Sequence, residues 1–134
     1  MNADQANGLA LKFVHFLETG NVPEGLFTDD VFCDFTLPLW RLQAQNLEET
    51  VALRRQGHPL TGKVPRWRCD PTTTGFVIEF EETWLDNGKN MYSREMARMD
   101  VRGDSIAALS VYCTGDWDAE RIAEHSKAVT LPRP

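Results

Sequence analysis

The stretch FVIEFEETWLDNGKNMYSREMARMDV, residues 76–101, constrains this chain more than any other. Asn87-Gly88 lies near its middle, and that pair tolerates positive φ at both central positions of a two-residue hairpin turn. Apolar residues alternate on either side. Phe76, Ile78, Phe80, Glu82 and Trp84 share one face of the first strand. Met91, Ser93, Glu95, Ala97, Met99 and Val101 share one face of the second. Each face is apolar except for one carboxylate. If both apolar faces turn inward, Glu82 and Glu95 turn inward with them, because side chains alternate strictly along a strand.

The rest of the chain supplies helices and further strands. Leu9, Phe13, Phe16 and Leu17 recur at helical spacing, which predicts a helix over 4–19 that Gly20 stops. VPEGLF suggests a short second helix, with Pro23 in its first turn. VFCDFTL, residues 31–37, reads as a strand with Phe32, Asp34 and Thr36 on one face and Cys33, Phe35 and Leu37 on the other. A helix follows over 46–56, capped by Asn46, with Glu48-Glu49 at its start and Arg54-Arg55 at its end to suit the helix dipole. RWRCD and IAALSVYCT complete a meander of four strands. A last helix covers 118–128, with Asp118 as its cap. Segregated helices and a mainly antiparallel sheet define an α+β class. A long curled sheet with helices on its concave side would enclose a cavity.

Composition narrows the partners. The 134 residues suit one domain over 1–134, with a net charge of −6. An acidic chain without a basic stripe argues against nucleic acid or an anionic membrane as partner. No apolar run approaches the ~20 residues of a membrane span, and MNADQANG lacks the pattern of a secretory leader. Cys33, Cys69 and Cys113 lie far apart, and with His15, His58 and His125 they form no metal-ligand spacing. The expectation is therefore a cytoplasmic protein with reduced thiols, no metal and no cofactor.

The element order, FTDDVFCDFTLPL early and VRGDSIAALSVYCTGDWD late, resembles the nuclear transport factor two-like superfamily, and within it the SnoaL-like proteins. The resemblance implies a cone-shaped α+β domain with a pocket at its wide end and a homodimer formed through the outer sheet face. It implies activities such as polyketide cyclisation, ketosteroid isomerisation, dehydration or epoxide hydrolysis. Limonene epoxide hydrolases of this superfamily carry a Tyr and an Asn that hold the catalytic water, and the matching positions are Phe32 and Asp34. Many members end the last strand with a catalytic Asp two residues after a Tyr. Here Tyr112 fits that Tyr, but the second position is Thr114, and the nearest carboxylates are Asp116 and Asp118.

The candidate chemistry is acid–base catalysis by Asp34, Glu82, Glu95 and Asp116, with Tyr112 as a hydrogen-bond donor. A carboxylate among Phe, Trp and Met is desolvated, which raises its pKa toward the working range of a general acid or base. Alternatively, Glu82 and Glu95 pair with Arg66, Arg94 or Arg98 across the sheet. Phe32, Trp40, Trp67, Phe80, Trp84 and Met99 are candidates to wall a site for a small apolar ligand. Each tryptophan could equally be core or interface. His58 either rims the pocket or is exposed.

Overall fold

Asn2 begins the first helix. Its side chain accepts from the Gln5 N–H, and the Gln5 side chain accepts from the Asn2 N–H, so two orphan donors are satisfied reciprocally. In the computed structural model, which describes all of Met1–Pro134, helix α1 covers Ala3–Thr19 and ends at Gly20, in the left-handed region at φ 74°. The expected short helix over VPEGLF does not form. Gly25 has φ 77°, and the Leu26 N–H bonds to the Pro23 carbonyl, so these residues make a turn instead.

Seven strands and two more helices follow: β1 (Phe27–Thr36), β2 (Arg41–Ala44), α2 (Leu47–Gly57), β3 (Gly62–Lys63), β4 (Trp67–Pro71), β5 (Gly75–Asp86), β6 (Lys89–Arg102), β7 (Ser105–Cys113) and α3 (Ala119–Ala128). Asn46 and Asp118 cap α2 and α3 by accepting from the Glu49 and Arg121 N–H groups. β1 starts four residues before the expected strand, and its ladder is irregular between Phe27 and Phe32. The short strands β2 and β3 carry no clear alternation, which is why the sequence pattern does not reveal them.

The strands form one curved, unclosed sheet in the order β2-β1-β7-β6-β5-β3, with β4 also pairing with β5. It is mixed, because β1 and β7 run parallel, with Cys33 beside Leu109 and Phe35 beside Val111. Helix α1 packs across β3, β4 and β5, and α2 packs on β1 and β2. Between helices and sheet lies the core. Phe13 meets Phe80 edge-on at 5.8 Å, and Phe16 meets Phe27 at 5.5 Å, the geometry that ring quadrupoles favour.

Helix α3 departs from the expectation that the helices line the concave face. It has no buried residue. Trp117, just before it, exchanges backbone hydrogen bonds with Tyr92 and stacks on both Tyr92 and His125. Tyr92 alternates with buried Ser93, so α3 is anchored on the opposite side of β6. No helix is long and apolar enough to cross a membrane.

At Gly75, the backbone of β6 leaves no room for a side chain. A β-carbon there would lie 2.0 Å from the Met99 carbonyl oxygen, so backbone would have to move. Gly75→Ala is expected to lower stability by about 2 kcal/mol or more, measured by urea denaturation.

Candidate functional site

The concave side of the sheet meets α1 and α2 around a cavity of about 130 Å³. Its size is set by side-chain parity on three strands and by one helical face. β1 contributes Cys33 and Phe35, β5 contributes Phe80 and Glu82, and β7 contributes Leu109, Val111 and Cys113. From α2 come Thr50, Leu53, Arg54 and Gly57, at the i, i+3, i+4, i+7 spacing of one helix face. Phe13, Phe16 and Leu17 of α1 close the other wall. The lining is mostly apolar, with its charged groups gathered in one cluster of Arg54, Glu82 and Glu95, and His58 beside them.

Glu82 and Glu95 are both buried, at 4% and 6% exposure. Arg54 grips Glu82 in a two-pronged ion pair, Nη2 to Oε1 at 2.5 Å and Nη1 to Oε2 at 3.1 Å. The same guanidinium donates to the Leu17 carbonyl at 2.8 Å, so it joins α2, the end of α1 and β5. Glu95 has no basic partner. Its Oε1 accepts from Ser93 Oγ at 2.7 Å and weakly from Cys113 Sγ at 3.4 Å, while its Oε2 is buried and has no partner. Burial, followed by the Glu82 charge, pushes the Glu95 carboxyl up to about 8. It therefore carries a proton at neutral pH. Ser93 and Cys113 occupy Oε1, which leaves Oε2 to carry that proton, with the Glu82 carboxylate near enough to compete for it.

His58 completes the cluster. Both ring nitrogens are buried and unpartnered, and the ring edge meets Trp84 at 4.3 Å between centroids. A neutral imidazole always carries one N–H donor and one acceptor, and buried groups of that kind rarely stay unpaired. Asp116 stands exposed nearby. Partial desolvation raises its pKa, His58 and Arg54 pull it down, and Glu82 adds to the rise. The thiols of Cys33 and Cys113 are pushed up to about 12, chiefly by burial, which keeps them protonated and poorly nucleophilic.

The structure redistributes the other expected site residues. Asp34 does not join the inward carboxylates. Cys33 and Phe35 face the cavity, so Asp34 faces out, held below its ordinary pKa by Arg41 at 2.7 and 3.0 Å. Phe32 shares that outer face and is partly exposed. Tyr112 is also outside, 60% exposed, because its neighbours Val111 and Cys113 line the cavity. Trp40 is 70% exposed in the turn before β2. Of the remaining wall candidates, Phe80 lines the cavity and Trp84 backs His58. Met99 is wholly buried in the core, and Trp67 packs against the core rather than the cavity. Arg66, Arg94 and Arg98 take no part in the cluster. Arg66 and Arg94 pair with Glu81 and Glu79, and Arg98 with Asp100, on the outer face. Arg54 and Ser93 are the members that sequence reasoning missed. The periodicity of Thr50, Leu53, Arg54 and Gly57 is the signal that places Arg54 on the inner face of α2.

No family model matches the sequence, and no curated protein matches it. Solved structures do. An NTF2-like protein from Anabaena variabilis superposes with a TM-score of 0.70 at 21% identity, covering 87% of this chain and 94% of that one. A proposed isomerase from Rhodopseudomonas palustris gives 0.65 at 10% identity over 96% and 100% of the two chains. A proposed polyketide cyclase from Pseudomonas putida gives 0.63 at 15% identity over 89% and 96%. The chain thus has the NTF2-like fold, the cone-shaped α+β architecture of these neighbours.

The protonated Glu95 carries a stability signature. Its folded pKa lies above the ordinary 4.5, so the native state holds more protons than the unfolded chain between those values. Stability must then fall as pH rises from about 4.5 to about 8, by on the order of a few kcal/mol. Glu95→Gln is expected to flatten this slope, read from melting temperatures across the range.

Proposed function

We propose that this protein is a cofactor-free pocket protein of the SnoaL-like kind that performs acid–base chemistry on a small, largely apolar ligand. The observation that carries this proposal is Glu95: a buried acid at a mostly apolar cavity wall, protonated at neutral pH, with one oxygen unpartnered. A cavity of about 130 Å³ suits a group the size of one six-membered ring, since a dry cavity of ~150 Å³ holds benzene. A substrate oxygen placed against Glu95 Oε2 would receive a hydrogen bond that strengthens as negative charge develops there. His58 supplies a second group able to give or take a proton. Such a set suits isomerisation, cyclisation, dehydration or hydrolysis, and the likeness to a proposed isomerase and a proposed polyketide cyclase supports that range.

A second reading is ligand binding without chemistry. Arg54 favours it, because its two-pronged pair occupies both oxygens of Glu82 and leaves neither free for a substrate.

A thermal-shift screen of small cyclic ketones, epoxides and alcohols identifies ligands, because a compound that prefers the folded state raises its melting temperature. With a turned-over hit, Glu95→Gln should lower kcat by about a hundredfold or more, the usual weight of a general acid. Asp34→Asn, on the outer face, should leave it unchanged. Full activity in Glu95→Gln removes Glu95 from the mechanism, and binding with no turnover of any hit selects the second reading.

The expected homodimer finds support on the outer face, where Met96 and Tyr112 pair across neighbouring strands and are exposed, and where Phe32 is exposed further along β1. Tyr112→Asp should convert the particle seen by light scattering from two chains to one. A wild-type monomer would end the proposal.

A further inference from the structure

A second cavity, of about 330 Å³, adjoins the first and shares Leu17, Arg54 and His58 with it. The two differ in chemistry. The first is lined mainly by apolar side chains, whereas the second is lined mostly by polar ones, among them Thr19, Asn21 and Arg55. Two arginines line the second cavity and no carboxylate does. Arg54 is neutralised by Glu82, but Arg55 has no acidic partner. Its Nε and Nη2 donate to the Gly20 carbonyl at 3.1 and 2.9 Å, which leaves Nη1 without a partner. The carbonyls of Leu17 and Gly20, at the negative end of α1, are both covered by these guanidinium groups, so they do not repel an anion. Arg55 is exposed, and in a chain of net charge −6 its unpaired guanidinium gives the second cavity a local positive charge.

We propose that the second cavity holds the carboxylate of the ligand whose apolar ring fills the first, with His58 contacting the ligand where the two cavities meet. This rests on the ligand pocket proposed above and specifies its substrate class: a small aromatic or alicyclic carboxylic acid. Arg55 is the specificity-determining residue. The buried ring nitrogens of His58, unpartnered within the protein, find their partner on the segment of ligand that bridges the two compartments.

Three probes with one ring and equal tails test this on the full chain by calorimetric titration: 3-phenylpropionate, 3-phenylpropanol and 3-phenylpropylamine. The acid should bind about tenfold more tightly than the alcohol, as a charge-assisted hydrogen bond predicts, and the amine more weakly than either. Arg55→Gln should erase the acid's advantage and leave the alcohol's affinity alone, while Arg55→Lys should keep part of it. Arg55 also holds Gly20, so a melting curve must accompany each variant. Salt gives an independent measure on the wild type, since the acid's advantage should shrink between about 50 and about 500 mM NaCl as the charge is screened. Equal binding of acid and alcohol overturns the inference, as does an advantage that survives Arg55→Gln or ignores salt. If the alcohol binds and the acid does no better, only this inference falls. If none of the three binds, the pocket reading falls with it.

Discussion

The ion pair between Arg54 and Glu82 is the contact on which the interior depends. One guanidinium ties a helix to a strand 28 residues further along and to the carbonyl at the end of α1. Two charges taken out of water repay their desolvation only with good geometry and further hydrogen bonds. Here the geometry is two-pronged, and the extra bond goes to Leu17. Removing either partner alone would strand a charge inside the molecule. The pair also determines what happens next to it. Burial, and after it the negative charge of Glu82 alongside, keeps the adjacent Glu95 protonated.

This arrangement explains why the acids of the chain divide into two populations. On the outer face, Asp34, Glu79, Glu81 and Asp100 each meet an arginine in contact with water, where ion pairs contribute little. On the inner face only two acids remain, and the one basic group there, Arg54, serves Glu82 and leaves Glu95 without a cation. The difference between a supported and an unsupported carboxyl, a few ångströms apart in an apolar wall, is what sets a pKa near neutrality.

Much of this is written in local pattern. The Asn-Gly turn and the strict alternation of β5 and β6 place Glu82 and Glu95 on the inner face without any coordinates. The caps Asn46 and Asp118 are equally local. β1 is instructive in a different way. Its Cys33, Phe35, Leu37 face is plainly more apolar than its Phe32, Asp34, Thr36 face, and burial follows that contrast. The analogy with water-binding residues in epoxide hydrolases pointed to Asp34, and hydrophobicity overrode it. Tyr112 follows the same parity on β7. Arg54 suits the helix dipole by its position, but its partner Glu82 lies 28 residues away, and no local pattern encodes a pairing of that kind. The same holds for α3, whose position depends on Trp117 finding Tyr92.

The parallel ladder between β1 and β7 has a consequence for how the molecule comes into being. The two strands stand side by side in the sheet, yet their paired residues lie more than seventy positions apart along the chain. Contacts of such long span close late, because their loop entropy must be met before they return anything. Cys33 and Phe35 on one strand, and Val111 and Cys113 on the other, form a continuous stretch of wall. A ribosome-bound chain that has not yet emitted its last strand can hold the hairpin and both early helices, but it has no chamber. The chamber closes only when β7 has joined β1.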